Sequence, residues 1–101
     1  MTWFPHLIDL EYNVQTDCCN ASPYPEKSLI IDYLHRGKID IAASGSAEDA
    51  FTGETIKGSY VGLNDGTYHW WSTTAYYVDR YNLRLPQEFV QHAINRMIIQ
   101  Q

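Results

Sequence analysis

At 101 residues, with 45% hydrophobic and 14% aromatic side chains, the chain has the size and composition of one globular domain rather than a disordered protein, and no internal repeat is visible in it. Twelve Asp and Glu against seven Lys and Arg give a formal net charge of −5, which argues against nucleic acid or an anionic membrane as partner. No run approaches the ~20 apolar residues of a membrane span, and Met1-Thr-Trp-Phe-Pro-His-Leu lacks the basic start of a signal peptide, so a single cytoplasmic domain over 1–101 is expected.

In chain order, His6 to Tyr12 alternates, with Ile8, Leu10 and Tyr12 on one face and Asp9 and Glu11 on the other, which predicts a half-buried strand. Asp17-Cys-Cys-Asn-Ala-Ser-Pro-Tyr-Pro25 reads as a loop. Its adjacent Cys18 and Cys19 have Cα atoms ~3.8 Å apart, below the usual disulfide range, and are expected as free thiols in a reducing compartment. A helix is predicted from about Pro25 to Arg36. Pro suits its first turn, Glu26 the positive end of its dipole, and Gly37 its stop. Leu29, Ile30, Tyr33 and Leu34 form its apolar stripe.

Lys38 to Ala43 reads as a strand with Ile39 and Ile41 on one face, and residues 44–53 as a loop or broken strand pair with a turn at Thr52-Gly53. The clearest local signal is a β-hairpin with arms near Ser59–Leu63 and Thr67–Trp71. They meet through Asn64-Asp65-Gly66, because Asp and Gly tolerate positive φ. Tyr68 and Trp70 share one face of the second arm while His69 and Trp71 share the other, so that arm should be central or covered on both sides. Gly58 and Gly62 are read as places where a large neighbour needs room. Ser72-Thr-Thr offers N-cap hydroxyls to a helix reaching about Tyr81, with Asn82 as its left-handed stop. Pro86 opens a last helix through about Ile99, with Phe89, Val90, Ala93, Ile94, Met97 and Ile98 as its stripe. The expected fold class is α+β: a small antiparallel sheet with a central hairpin, packed by about three helices, one before the hairpin and two at the C-terminus.

Sites of known chemistry are hard to find. His6, His35, His69 and His92 lack zinc-ligand spacing, no Gly-x-Ser-x-Gly elbow occurs, and no phosphate-cradling glycine motif is present. Asp17 beside Cys18 would raise rather than lower a thiol pKa. The expectation is therefore no catalysis, no metal and no cofactor.

Charge and aromatics point elsewhere. Residues 1–26 carry no Lys or Arg, and residues 38–66 hold Asp40, Glu48, Asp49, Glu54 and Asp65 against Lys38 and Lys57. After residue 79 the sign reverses, with Arg80, Arg84 and Arg96 against Glu88. Two adjacent Trp and two adjacent Tyr cannot all face one interior, so some rings must lie at a surface of the kind that anchors interfaces. Trp70, Tyr76 and Tyr81 are assigned to the core, and His69, Trp71 and Tyr77 are the candidate anchors.

Phe51-Thr-Gly-Glu54, Asp65-Gly-Thr-Tyr-His-Trp70 and Tyr76-Tyr-Val-Asp-Arg-Tyr-Asn-Leu-Arg-Leu-Pro-Gln-Glu-Phe89 with His92 resemble a group of small bacterial proteins. Some of these are similar to the immunity proteins of polymorphic and contact-dependent toxin systems. The resemblance covers residues 50–93. It implies a non-catalytic inhibitor that binds a toxin domain. On the residues themselves, Asp40, Glu48, Asp49, Glu54 and Asp65 are expected to form an acidic field for a basic protein, with Trp71 or Tyr77 as anchor. The alternatives are a structural or regulatory module, monomer or homodimer, and a small-molecule-binding domain or enzyme.

Overall fold

A computed structural model describes residues 7–17, 24–42 and 45–99, so the expectations for Cys18 and Cys19 lie outside the described residues. The elements are β1 (Ile8–Asp9), α1 (Val14–Asp17), α2 (Lys27–His35), β2 (Lys38–Ala42), β3 (Val61–Asn64), β4 (Tyr68–Trp71), α3 (Thr73–Tyr81) and α4 (Gln87–Ile99). The class is α+β, as the sequence implies, with the one-turn α1 as an addition. The four strands lie in the order β1-β4-β3-β2, which puts the second hairpin arm inside the sheet.

The sheet is mixed, not antiparallel. β2–β3 and β3–β4 run antiparallel, but β1 pairs with β4 in parallel, Ile8 opposite Tyr68 and Asp9 opposite His69. Leu10 N–H extends this pairing by donating to the His69 carbonyl at 2.8 Å, and the Leu10 side chain is buried. Ile8, which alternation placed on the same face as Leu10, is exposed.

β2 departs from simple alternation through a bulge between Ile39 and Ile41. Ile39 stands opposite Leu63 and Ile41 opposite Gly62, adjacent positions that belong to opposite faces of β3. The two isoleucines therefore do not share a face, and both are exposed on this edge strand. The bulge turns Asp40 inward across the sheet, where its Oδ2 accepts from Asn64 Nδ2 at 2.8 Å.

The core lies between one sheet face and three helices. Ile30, Tyr33 and Leu34 of α2 meet Trp70 of β4 and Phe89, Val90 and Ala93 of α4, while Ala75, Tyr77 and Val78 of α3 close the other end. Ile98 extends the predicted α4 stripe but is exposed, because α4 outruns what it packs on. Gly37 follows α2 as predicted, but not as a left-handed cap, since its φ is not positive. A Cβ there would lie 2.7 Å from Trp70 Cζ2 and 3.0 Å from Leu63 Cβ, so the glycine makes room for the indole. Asn82 does take the left-handed conformation (φ 56°) and closes α3 through its N–H to the Tyr77 and Val78 carbonyls. Ser72 does not cap α3 with its side chain. Its hydroxyl donates to the Ser59 carbonyl and accepts from Val61 N–H, tying the helix start to the entry of β3.

Candidate functional site

Three of the five carboxylates expected in a surface field instead face inward, and each organises its own neighbourhood. Asp49 is 2% exposed. It stands in the loop of residues 47–56, which doubles back on itself through a Glu48–Thr55 bridge and an Ile56 N–H to Ala47 carbonyl bond. Oδ1 accepts from Phe51 N–H (2.7 Å) and Thr52 N–H (3.0 Å), and Oδ2 accepts from the Tyr76 and Tyr81 hydroxyls at 2.6 Å each. The carboxylate thus forms the turn and pins it to α3. Burial by itself would raise the Asp49 pKa, but the two phenols and two amides outweigh it and hold the carboxyl well below its usual range.

Tyr77, the alternative anchor, is also buried. Its ring stands edge-on to Phe51, and its oxygen accepts from Ala50 N–H at 2.9 Å. Tyr76 and Tyr81, assigned to the core, are half-buried, packing their rings against the core while their hydroxyls donate to Asp49. Glu48 and Glu54 are exposed on the same loop. They are the part of the expected field that lies on the surface.

Asp65 closes the hairpin. Its Oδ1 accepts from Thr67 N–H (2.8 Å) and Tyr68 N–H (2.7 Å), while Oδ2 accepts from the Tyr33 hydroxyl and pairs with His92 Nε2 at 2.8 Å. Arg96 donates to the Asp65 carbonyl at 2.9 Å. Burial again pulls the Asp65 pKa upward, and the Tyr33, Tyr68, Thr67 and His92 hydrogen bonds bring it below the ordinary value. Tyr33 is pushed up, first by burial and then by its bond to Asp65. Both oxygens of Asp49 and of Asp65 are engaged by protein donors. Such carboxylates hold charge and structure rather than a substrate's proton.

These shifts fix the sign of the pH dependence. Asp49 and Asp65 have lowered folded values, so their contribution is present above the ordinary carboxylate value of 3.8 and is lost as pH falls below it. Tyr33, Tyr76 and Tyr81 have raised values, Tyr81 to about 12, through Asp49 for Tyr76 and Tyr81. Their contribution is present below pH 10 and is lost as pH rises beyond it. The midpoint of thermal unfolding should therefore drop below about pH 4 and above about pH 10. Absorbance titration at alkaline pH should show these tyrosines ionising after the ordinary ones.

The third inward aspartate, Asp40, lies on the sheet face that carries His69 and Trp71. His69 stands between two carboxylates, with Nδ1 3.5 Å from exposed Asp9 and Nε2 3.4 Å from buried Asp40 Oδ1. Nε2 and that Oδ1 are buried without a hydrogen-bond partner. Gly62 lies directly beneath. A Cβ there would come within 2.7 Å of Nε2 and 3.0 Å of Oδ1, so the large neighbour that needs room at Gly62 is the His69–Asp40 pair. Gly58 has a different reason, a positive φ of 101° with open space around it.

His69 stands edge-on to Trp71 (5.6 Å between centroids), and Trp71 in turn contacts Tyr60 at 5.1 Å. The row Tyr60–Trp71–His69 thus runs along the sheet face opposite Trp70, and Trp71 is half-buried. Beside it an open groove is lined by Asp9, Glu11, Tyr12, His69, Trp71 and Thr74, with no Lys or Arg among its lining residues. Asp9 and Glu11 carry no special spacing. Their alternation with Leu10 was the only sequence signal that they line a face. Among the described residues no group of three His, Cys, Asp or Glu could hold a metal ion, and no helix is long and apolar enough to cross a membrane. Comparison with protein-family models, with curated proteins and with solved structures finds no match, so the geometry alone bears on function.

Proposed function

We propose that the protein is a non-catalytic binding module that holds a basic protein on the Trp71 face of its sheet, in the manner of the immunity-type inhibitors that residues 50–93 resemble. One observation carries the reading. A half-buried Trp71, in a row with His69 and Tyr60, borders a groove whose only formal charges are the carboxylates of Asp9 and Glu11. A lysine or arginine entering that groove would meet an indole face and a carboxylate together, a pairing that desolvation strengthens. Exposed acids around an aromatic anchor also speed encounter with a basic surface in a salt-dependent way. Glu48 and Glu54, on their separate loop, extend the same sign of charge.

Affinity capture from the native host with wild type, Trp71→Ala and Asp9→Lys tests the reading. Wild type should retain a basic protein. Trp71→Ala should weaken its binding at least about tenfold, and Asp9→Lys should slow association and flatten its salt dependence. An acidic partner, or equal retention by all three chains, would overturn the docking face. If expression of the captured protein alone leaves cells unharmed, the inhibitor reading fails while the docking face stands.

A further inference from the structure

We propose that the cavity where α2, α4 and the β3–β4 turn meet is a second, separate binding site, for a small phosphate monoester. The cavity has a volume of about 330 Å³ and is lined by Tyr33, Arg36, Lys38, Asp65, Gly66 and Arg96 among others. Three of the chain's seven Lys and Arg residues therefore converge on one concavity of an acidic protein, from the C-cap of α2, the start of β2 and the last turn of α4. Three of the other four cations have local partners. Lys27 donates to Asn82 at 2.7 Å, Arg80 donates to Tyr76 at 3.1 Å, and Arg84 lies 4.4 Å over the Tyr24 ring.

The lining keeps a net positive charge, three cations against one carboxylate. That carboxylate, Asp65, stays ionised but turns both oxygens to Tyr33, His92 and two amides rather than to the three cations. Asp32 touches Arg36 at 3.3 Å in an exposed pair of the weak surface kind. Arg96 is held by its bond to the Asp65 carbonyl, which uses one of its five N–H donors. Arg36 and Arg96 also suit the C-terminal ends of their helices, but Lys38 opens a strand and has no such reason to be there.

The chemistry favours phosphate. Two planar guanidinium forks can each grip an oxyanion edge, and an ammonium adds a point charge between them. The volume lies at the lower end of small-ligand pockets and exceeds what inorganic phosphate alone would fill, so a compact organic body belongs with the anion.

Amide NMR titration of the full chain at constant ionic strength tests this site, with inorganic phosphate, glucose 6-phosphate and citrate as probes. Saturable shifts are expected at Gly37, Lys38, Gly66 and Arg96, with the sugar phosphate binding more tightly than phosphate. Arg36→Gln with Lys38→Gln should weaken binding about tenfold or more, as loss of charge-assisted hydrogen bonds requires. Both side chains lie at the surface, and the single variants serve as a second reading if the double variant does not fold. Lys57→Gln with Arg84→Gln should bind as wild type does. Non-saturating shifts, shifts centred on Lys57 or Arg84, or an Arg36/Lys38 variant equal to wild type would overturn the site. Citrate binding more tightly than either phosphate would overturn the phosphate assignment. The Trp71 face is not involved, so neither proposal's failure bears on the other.

Discussion

Replacing Asp65 with alanine is expected to lower the unfolding free energy by about 3–5 kcal/mol, the cost of removing one member of a buried, hydrogen-bonded charged network. The side chain is 7% exposed and takes two backbone amides, a phenol and an imidazole. The Thr67 and Tyr68 amides have no second acceptor once the carboxylate is gone, whereas Tyr33 and His92, 3.5 Å apart, can turn to each other, and each unsatisfied buried donor costs about 1–3 kcal/mol. The amides of Thr67 and Tyr68 belong to the turn that sets the hairpin register, so the loss is felt in β3 and β4 as well as locally. Asp65→Asn should lose less, because its amide oxygen can keep the turn amides while only the Tyr33 and His92 side is disturbed. Urea unfolding at neutral pH measures both, read as a lower midpoint at unchanged slope. A loss below about 1 kcal/mol in the alanine variant would show that water replaces the carboxylate.

Trp70→Ala is expected to cost a comparable 3–5 kcal/mol, in the range of large aromatic truncations in a close-packed core, from about 5–15 kcal/mol in total for a domain. Trp70 is 2% exposed, lies 5.7 Å from Phe89 and 6.1 Å from Tyr33 between ring centroids, and donates its indole N–H to the Leu34 carbonyl at 3.2 Å. Its ring rests over Gly37, where no Cβ intervenes. Truncation therefore opens a cavity that the backbone at Gly37 cannot fill and releases a carbonyl in the last turn of α2. Trp70→Phe should recover part of the packing but not the hydrogen bond, and Gly37→Ala should be destabilising through its clash with the intact indole. Trp71→Ala is the internal comparison. It removes the same side chain from the half-buried position beside it and should cost far less stability. Equal losses at the two tryptophans would contradict the assignment of their faces.

The face assignment shows where sequence patterning suffices. A strand places neighbours on opposite sides, so one of Trp70 and Trp71 had to leave the core, and the structure buries Trp70, the one assigned to the core, and leaves Trp71 half-buried. Boundaries marked by local chemistry also held: Pro86 opens α4, Asn82 closes α3, and Asn64-Asp65-Gly66 turns the hairpin. These features depend on φ, hydrogen bonds within a few residues and a local periodicity, all of which short sequence carries.

The acidic field shows where patterning fails. Asp49 and Asp65 look like surface residues because an isolated carboxylate is costly to bury. The donors that offset the cost are Tyr76 and Tyr81 for the first, and Tyr33 and His92 for the second, each 27 to 32 positions away in the chain. The same holds for the parallel pairing of β1 with β4 and for the bulge that turns Asp40 inward.

Acidity, the α+β class, the ends of α3 and α4, the hairpin and the outward turn of some aromatic rings are legible in the chain itself. The burial of Asp40, Asp49 and Asp65, the groove beside Asp9 and Glu11, and the meeting of Arg36, Lys38 and Arg96 at one cavity come from the packing of distant segments. The difference is one of range. Propensity, capping and alternation act over a few residues, whereas the partners that make a charge buried or a cation clustered are brought together by contacts between distant segments.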